Sequence, residues 1–312
     1  MKLLKLVPAN TAFDFIGKRL LAFAMSGFIV TASLGMFFTQ GLNLGIDFLG
    51  GILIEIKTAG PADLGSLRAK LGNLNLGDVT LQEFGASNDV LIRIQKQDGG
   101  DSGQQAAIDA VKAALGDVVA EYRRTEFVGP TVGAELREAA TWAVLAAISA
   151  ILLYVWFRFE WQFGLGAVVA LAHDVITTVG LFSLLQLEFN LATVAAVLTI
   201  AGYSINDTVV IYDRVRENMR RYKKMPLAEL FNNSLNQTLS RTTMTSVTTL
   251  LALIALYVFG GEVIRGFSIA LIWGVLIGTY SSIWIAVPFL LYVRPDRGGE
   301  ETRSELDEVK AS

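Results

Sequence analysis

Two carboxylates, an imidazole and a guanidinium stand in apolar surroundings that offer them no ordinary use. Asp207 lies in Gly202-Tyr203-Ser204-Ile205-Asn206-Asp207-Thr208-Val209-Val210, late in an apolar run that opens near Leu191. His173 and Asp174 are adjacent, midway through another run, and Arg241 heads a third in Ser240-Arg241-Thr242. A charged side chain at the centre of a bilayer costs roughly 2.5–3.5 kcal/mol on insertion scales, and less towards the edge. Such a group must be neutralised or used. An opposite charge favours the ionised form of a carboxyl, and apolar surroundings favour the neutral acid. A guanidinium that approaches Asp207 and withdraws could therefore load and unload a proton. A static Asp207–Arg241 pair, or a polar seam joining two helices, is the structural reading of the same residues.

Helical spacing arranges the neighbours. Asp207 projects between Tyr203 and Ser204, flanked by Asn206 and Thr199, which makes one side of that helix polar. Arg241, Thr245, Thr248 and Ala252 share one face of the next, with Thr238 and Thr249 beside them. His173 shares a face with Gly166, Ala170, Thr177 and Gly180, a pattern that suits close packing as well as a relay, while Asp174 points about 100° away. The last apolar run carries Gly274-x-x-x-Gly278 followed by Ser281 and Ser282, a small-residue face for helix packing.

Composition narrows the class. Of 312 residues, 53% are hydrophobic, and the mean hydropathy of +0.48 belongs to a polytopic membrane protein. The chain lacks cysteine, which excludes disulfides, thiolate nucleophiles and thiolate-bound metals, and His173 is its one histidine. No cofactor, metal or catalytic group is expected. A net charge of −3 points to no polyanionic partner. Two buried carboxylates also admit an intramembrane aspartyl protease, but neither sits in the Gly-x-Gly-Asp or Tyr-Asp context of such enzymes.

The elements that must position these groups are six spans: 20–38, 139–157, 163–187, 190–212, 242–259 and 266–293. Each is long enough for about 30 Å of hydrocarbon. The first follows Lys2, Lys5, Lys18 and Arg19, is longer than a signal-peptide core, and has no small-x-small site close behind it, so it is read as an uncleaved anchor after a cytoplasmic segment, 1–19. Arg214, Arg216, Arg220, Arg221, Lys223, Lys224 and Arg241 crowd 213–241, which reads as a basic amphipathic segment along the inner leaflet. Basic residues inside place both termini, including a charged tail at 294–312, in the cytoplasm and residues 39–138 outside. Within that outer domain, strands at 51–56, 79–84, 90–95 and 121–127 alternate with helices at 62–71 and 104–115. The order β-α-β-β-α-β predicts a ferredoxin-like α+β domain. The glycine-rich stretch 99–103 reads as a loop, since no Lys-Ser/Thr follows to make it a phosphate cradle.

With these residues in view, the chain resembles the SecF family, the smaller membrane subunits of the SecD–SecF accessory complex of the Sec translocase, related to RND transporters. The likeness rests on Gly45-Ile46-Asp47-Phe48-Leu49-Gly50-Gly51, Val128-Gly129-Pro130-Thr131-Val132-Gly133, His173-Asp174, the stretch around Asp207, Ser240-Arg241-Thr242 and Gly278-Thr279-Tyr280-Ser281-Ser282. It implies an RND-type half of six helices that pairs with SecD in the bacterial inner membrane. It also implies contact with the SecYEG channel, a YajC-like subunit and unfolded preproteins, and use of the proton motive force for late, periplasmic-side steps of translocation. Proton coupling would fall to Asp207 and Arg241, with His173, Asp174, Tyr203, Ser204, Asn206, Thr245 and Thr248 as relay or lining. A proton-driven RND-type exporter of lipids or small molecules and a passive channel scaffold are the competing readings.

Overall fold

The computed structural model describes residues 11–261 and 264–295. Its first span is α1 (Arg19–Gln40), which ends at Gly41. A two-residue strand β1 (Asn43–Leu44) and one helical turn α2 (Ile46–Leu49) lead into the α+β domain. That domain comprises β2 (Gly51–Thr58), α3 (Leu64–Gly72), β3 (Val79–Phe84), β4 (Ala86–Ile94), α4 (Gly100–Leu115) and β5 (Val119–Val128).

The strands lie side by side as β3-β4-β2-β5, and every neighbouring pair is antiparallel. This is the expected ferredoxin-like order, and alternation in β2 explains its two buried faces. Ile52, Ile54 and Ile56 pack with Leu67, Leu71, Ile108 and Val111 beneath α3 and α4. Leu53 turns the other way, joining Leu91, Ile46 and Val128.

Two local expectations are corrected. β4 begins at Ala86, not at 90, because Gly85 alone, at φ 83°, reverses the chain from β3. The stretch expected as a loop at 99–103 contributes the first turn of α4: Gly99, left-handed at φ 97°, ends the preceding chain and lets the helix open at Gly100.

The remaining spans are long. They are α5 (Pro130–Arg158), α6 (Trp161–Leu185), α7 (Leu191–Arg221) and α8 (Leu227–Phe259), with a short strand β6 (Glu188–Phe189) pairing β1 in parallel before α7. The last span, Arg265–Val293, divides into α9 (Arg265–Ser281), a π-helical turn (Ser282–Ala286) and α10 (Val287–Val293). All six are long and apolar enough to cross a membrane.

The basic segment at 213–241 differs from the surface helix expected there. α7 continues to Arg221 and α8 starts at Leu227, so the segment is the prolongation of two spans. Its apolar stripe has no need of lipid. Ile211, Val215 and Met219 bury against Leu230, Phe231 and Leu235, together with Phe15, Ile16, Val287 and Leu290. Asn232 fixes the entering chain: its Oδ1 accepts from the N–H groups of Phe15 and Ile16 at 2.9 and 3.0 Å, and its Nδ2 donates to Asp14. Asn236 brackets Phe13, accepting from its N–H and donating to its carbonyl. The Asn232 amide and the Gly17 N–H hold the Asp14 carboxyl below the ordinary carboxylate range. Residues 1–10 and most of the charged tail, 296–312, lie outside the described residues.

Candidate functional site

The most densely bonded polar group inside the bundle is Asp174, completely buried on α6. Its Oδ1 meets His173 Nδ1 at 3.0 Å. Its Oδ2 accepts from Ser204 Oγ on α7 and, at 2.7 Å, from Ser281 Oγ on α9. One carboxyl therefore ties three spans. His173 is 5% exposed, its ring 6.0 Å from that of Tyr280, and its Nε2 has no hydrogen-bond partner among the described residues.

Around this node α7 and α9 meet along a four-residue repeat. A Cβ on Gly274 would overlap the Ile200 side chain, and one on Gly278 would come 3.1 Å from Ser204 Cβ. One turn further, Ser282 Oγ and Thr208 Oγ1 are 2.7 Å apart. A turn beyond that, Tyr212 OH donates to the carbonyl of Ala286 at 3.2 Å. Positions 274, 278, 282 and 286 thus face 200, 204, 208 and 212, small residues allowing the backbones to approach closely.

Asp207, on α7, is 4% exposed. At 1.5 Å per residue it lies about 24 Å along the helix from Leu191. The structure does not bring it into direct contact with Arg241, which is exposed on α8. Among the described residues, Asp207 Oδ2, Tyr203 OH and Thr242 Oγ1 are buried without a hydrogen-bond partner. Buried polar atoms are usually paired, so each of these three has bonding capacity left over. The expected hydroxyl stripe does not reach Asp207 either. Thr245 Oγ1 donates to the carbonyls of Arg241 and Thr242, and Thr248 Oγ1 to those of Met244 and Thr245. The inward polar face of α8 is Thr238, Thr242 and Ser246, the last 2.7 Å from Thr279. Asn206 and Thr248 are exposed.

The glycine-rich stretch after α1 joins the α+β domain to this bundle. Asp47 Oδ2 accepts from the Leu191 N–H, at the start of α7, at 2.9 Å. Phe48 packs beside Phe189, their centroids 6.2 Å apart, and Gly45 fits against Glu188 and Asn190. Gly50 and Gly51 adopt φ of 71° and 119°, and a Cβ on Gly51 would lie 2.5 Å from the Ile94 carbonyl, so only glycine turns the chain into β2 here. From the sheet, Arg93 reaches Glu188 at 2.8 Å and Asn43 at 2.6 Å. Arg93, Glu188, Thr208 and Tyr212 were not apparent as site residues in the sequence. Only the four-residue spacing of Gly274, Gly278 and Ser282 signals the α7–α9 contact.

A bundle of six membrane-crossing helices, with a ferredoxin-like domain set between the first two and buried ionisable groups at depth, defines a transporter-type membrane protein. The chain matches the family models "Protein export membrane protein SecD/SecF, C-terminal" over residues 108–296 and "SecD/SecF GG Motif" over residues 35–62. It is 52% identical to the protein translocase subunit SecF of Magnetococcus marinus, covering 91% of this chain and 93% of that one. With the subunit SecF of Rhodobacter capsulatus it shares 48% identity, over 96% of this chain and 94% of the relative. A crystal structure of SecDF, a translocon-associated membrane protein from Thermus thermophilus, superimposes with a TM-score of 0.84 at 37% identity. That match covers 93% of this chain but 40% of the longer SecDF chain. The chain belongs to the SecD/SecF family of protein export membrane proteins, as a SecF-type translocase subunit.

Proposed function

We propose that this chain is one half of a proton-driven unit, pairing with a SecD-type subunit to assist the late, outward steps of polypeptide export. The observation that carries this reading is Asp207, buried within a span beside α8 with one carboxyl oxygen lacking a hydrogen-bond partner among the described residues. Intramembrane carboxyls mark ion or proton pathways by default. A proton crossing the membrane releases roughly 2.3 kcal/mol per 100 mV. Asp207 would take up that proton in one conformation and release it in another, with Arg241 as the mobile counter-charge.

Asn206, Arg241 and Thr248 are exposed on α7 and α8. Groups of this polarity face protein or water when they lie at membrane depth. A second, SecD-type half laid against this side would cover them and complete the network around Asp207. In this arrangement both termini are cytoplasmic, the α+β domain faces the exporting side of the inner membrane, and the SecYEG channel and a YajC-like subunit lie nearby. The domain meets emerging unfolded chain, and Asp47 and Arg93 pass its movement to α7.

The test is proton flux in vesicles holding the SecD-type and SecF-type chains together. The expected result is gradient-dependent flux and export stimulation that Asp207→Asn abolishes while assembly persists. Unchanged stimulation in Asp207→Asn would reduce the residue to structural glue.

A further inference from the structure

At the end of the bundle opposite the α+β domain, Arg158, Arg216, Arg220 and Arg221 line one recess of about 640 Å³, together with Asp213 and Glu217. We propose that this recess binds the phosphate of an anionic phospholipid headgroup. The two carboxylates in it are already engaged. Arg158 Nη2 donates to both Asp213 oxygens, at 2.8 and 3.1 Å, and Glu217 accepts from Arg214, which does not line the recess. Arg216, Arg220 and Arg221 have no carboxylate partner among the described residues. The recess therefore presents excess positive charge.

A neighbouring ring gathers that charge. The guanidinium carbons of Arg158 and Arg216 lie 4.8 and 5.5 Å from the centroid of the single Phe159 ring, which is buried between α5 and α6. Asp213 offsets the charge of Arg158, which leaves Arg216 beside the same ring, with Arg220 and Arg221, as the cations an anion would neutralise. Guanidinium forks match phosphate oxygens in pairs, which an isolated ammonium cannot do.

The depth of the site selects a lipid as the source of the phosphate. Arg158 is the last residue of its span, and Trp156, Phe157 and Trp161 beside it are 65, 81 and 54% exposed. Exposed tryptophans at span ends mark the headgroup level. Basic pockets between spans at that level accept anionic headgroups. Free phosphate offers the same oxygens without acyl chains, and the experiment separates the two.

The full-length chain, purified in detergent, is titrated with dioleoyl phosphatidylglycerol and with dioleoyl phosphatidylcholine and read by native mass spectrometry. Phosphatidylglycerol is expected to stay bound where phosphatidylcholine does not. Each arginine that touches the headgroup should contribute a factor of about five, so Arg216→Gln/Arg220→Gln/Arg221→Gln should weaken retention roughly a hundredfold. The triple change Lys18→Gln/Lys224→Gln/Arg294→Gln removes equal charge from the same end of the bundle and should leave retention within a few-fold of the parent. Thermal unfolding checks that both variants fold. If the arginine triple does not, Arg220→Gln alone, at an exposed position, should cost about fivefold. Equal loss in both triples, equal retention of the two lipids, or displacement of the lipid by equimolar inorganic phosphate overturns the proposal.

Discussion

Asp47 and Leu191 are far apart in sequence, yet the Asp47 carboxylate accepts the first free N–H of α7 at 2.9 Å. Asn190 caps the same helix from the position just before it, accepting from the Thr193 N–H at 3.1 Å while Thr193 reaches back. The helix that holds Asp207 is therefore closed at its start partly by the α+β domain's entry turn. A negative group there also complements the helix dipole.

Asp47→Ala should cost about 1 kcal/mol, the usual worth of a capping group. It should also raise amide exchange at residues 191–194 without loosening the sheet of the α+β domain. Asp47→Asn keeps an acceptor and should lose less. Exchange measured on the intact chain in detergent distinguishes them, and faster exchange throughout β2 and β4 would show that Asp47 supports the domain, not the helix.

The contact between α7 and α9 should be intolerant of added volume. Gly278→Val pushes against Ser204, itself bonded to Asp174, and overpacking of this kind costs about 1–3 kcal/mol. Gly27→Val, which a Cβ meets nothing around, should be close to neutral. Reversible unfolding in mixed detergent micelles gives both values.

If Arg241 is the mobile counter-charge of Asp207, its charge is needed and its geometry partly so. Arg241→Met should abolish gradient-dependent export in the reconstituted pair. Arg241→Lys should retain part of it, because an ammonium does not reproduce the planar fork. Full activity of Arg241→Met would remove the residue from the coupling scheme.

The N-terminal clamp should respond to acid. The Asp14 carboxyl sits below the ordinary carboxylate range, held there chiefly by Asn232. A group whose folded value is depressed adds stability above its unfolded value of 3.8, and that stability is lost as pH falls through the lower folded value. Exchange protection of residues 15–17 should hold from neutrality to about pH 4 and decline below it. Asn232→Ala should remove the protection at every pH.

Orientation is open to a direct measurement. An alkaline-phosphatase fusion within the α+β domain, after Asp98, should be active, and one after Lys224 should be inactive. The reverse pattern would invert the bundle.

Much of the architecture was legible because it is written in local periodicity. Apolar runs of membrane length announce the spans, and the alternation of Ile52, Ile54 and Ile56 announces a strand with a covered face. The continuation of α7 to Arg221 and the start of α8 at Leu227 were not legible. Basic residues such as Arg214 and Arg220 dominate that stretch, and they hide a stripe, Ile211, Val215 and Met219, that finds its partner in the next helix. The Asp174 node was half visible: His173 is its neighbour in sequence, but Ser204 and Ser281 come from other spans. The facing of Arg241 was not encoded at all. Thr245 and Thr248 on one side of α8 and Thr242 and Ser246 on the other are equally polar, so polarity alone could not choose the buried side.

Helix α7 runs 31 residues without a break, about 46 Å from end to end. One end is fastened to the α+β domain by Asp47, and the other is packed against the N-terminal segment and α8. Between them, Ile200 and Ser204 pack against Gly274 and Gly278, which have no room for a side chain. A rod of that length has the geometry of a lever. A tilt of about 5° around Ser204 would swing each end by roughly 2 Å. In such a tilt the two ends of the unbroken helix move in opposite directions.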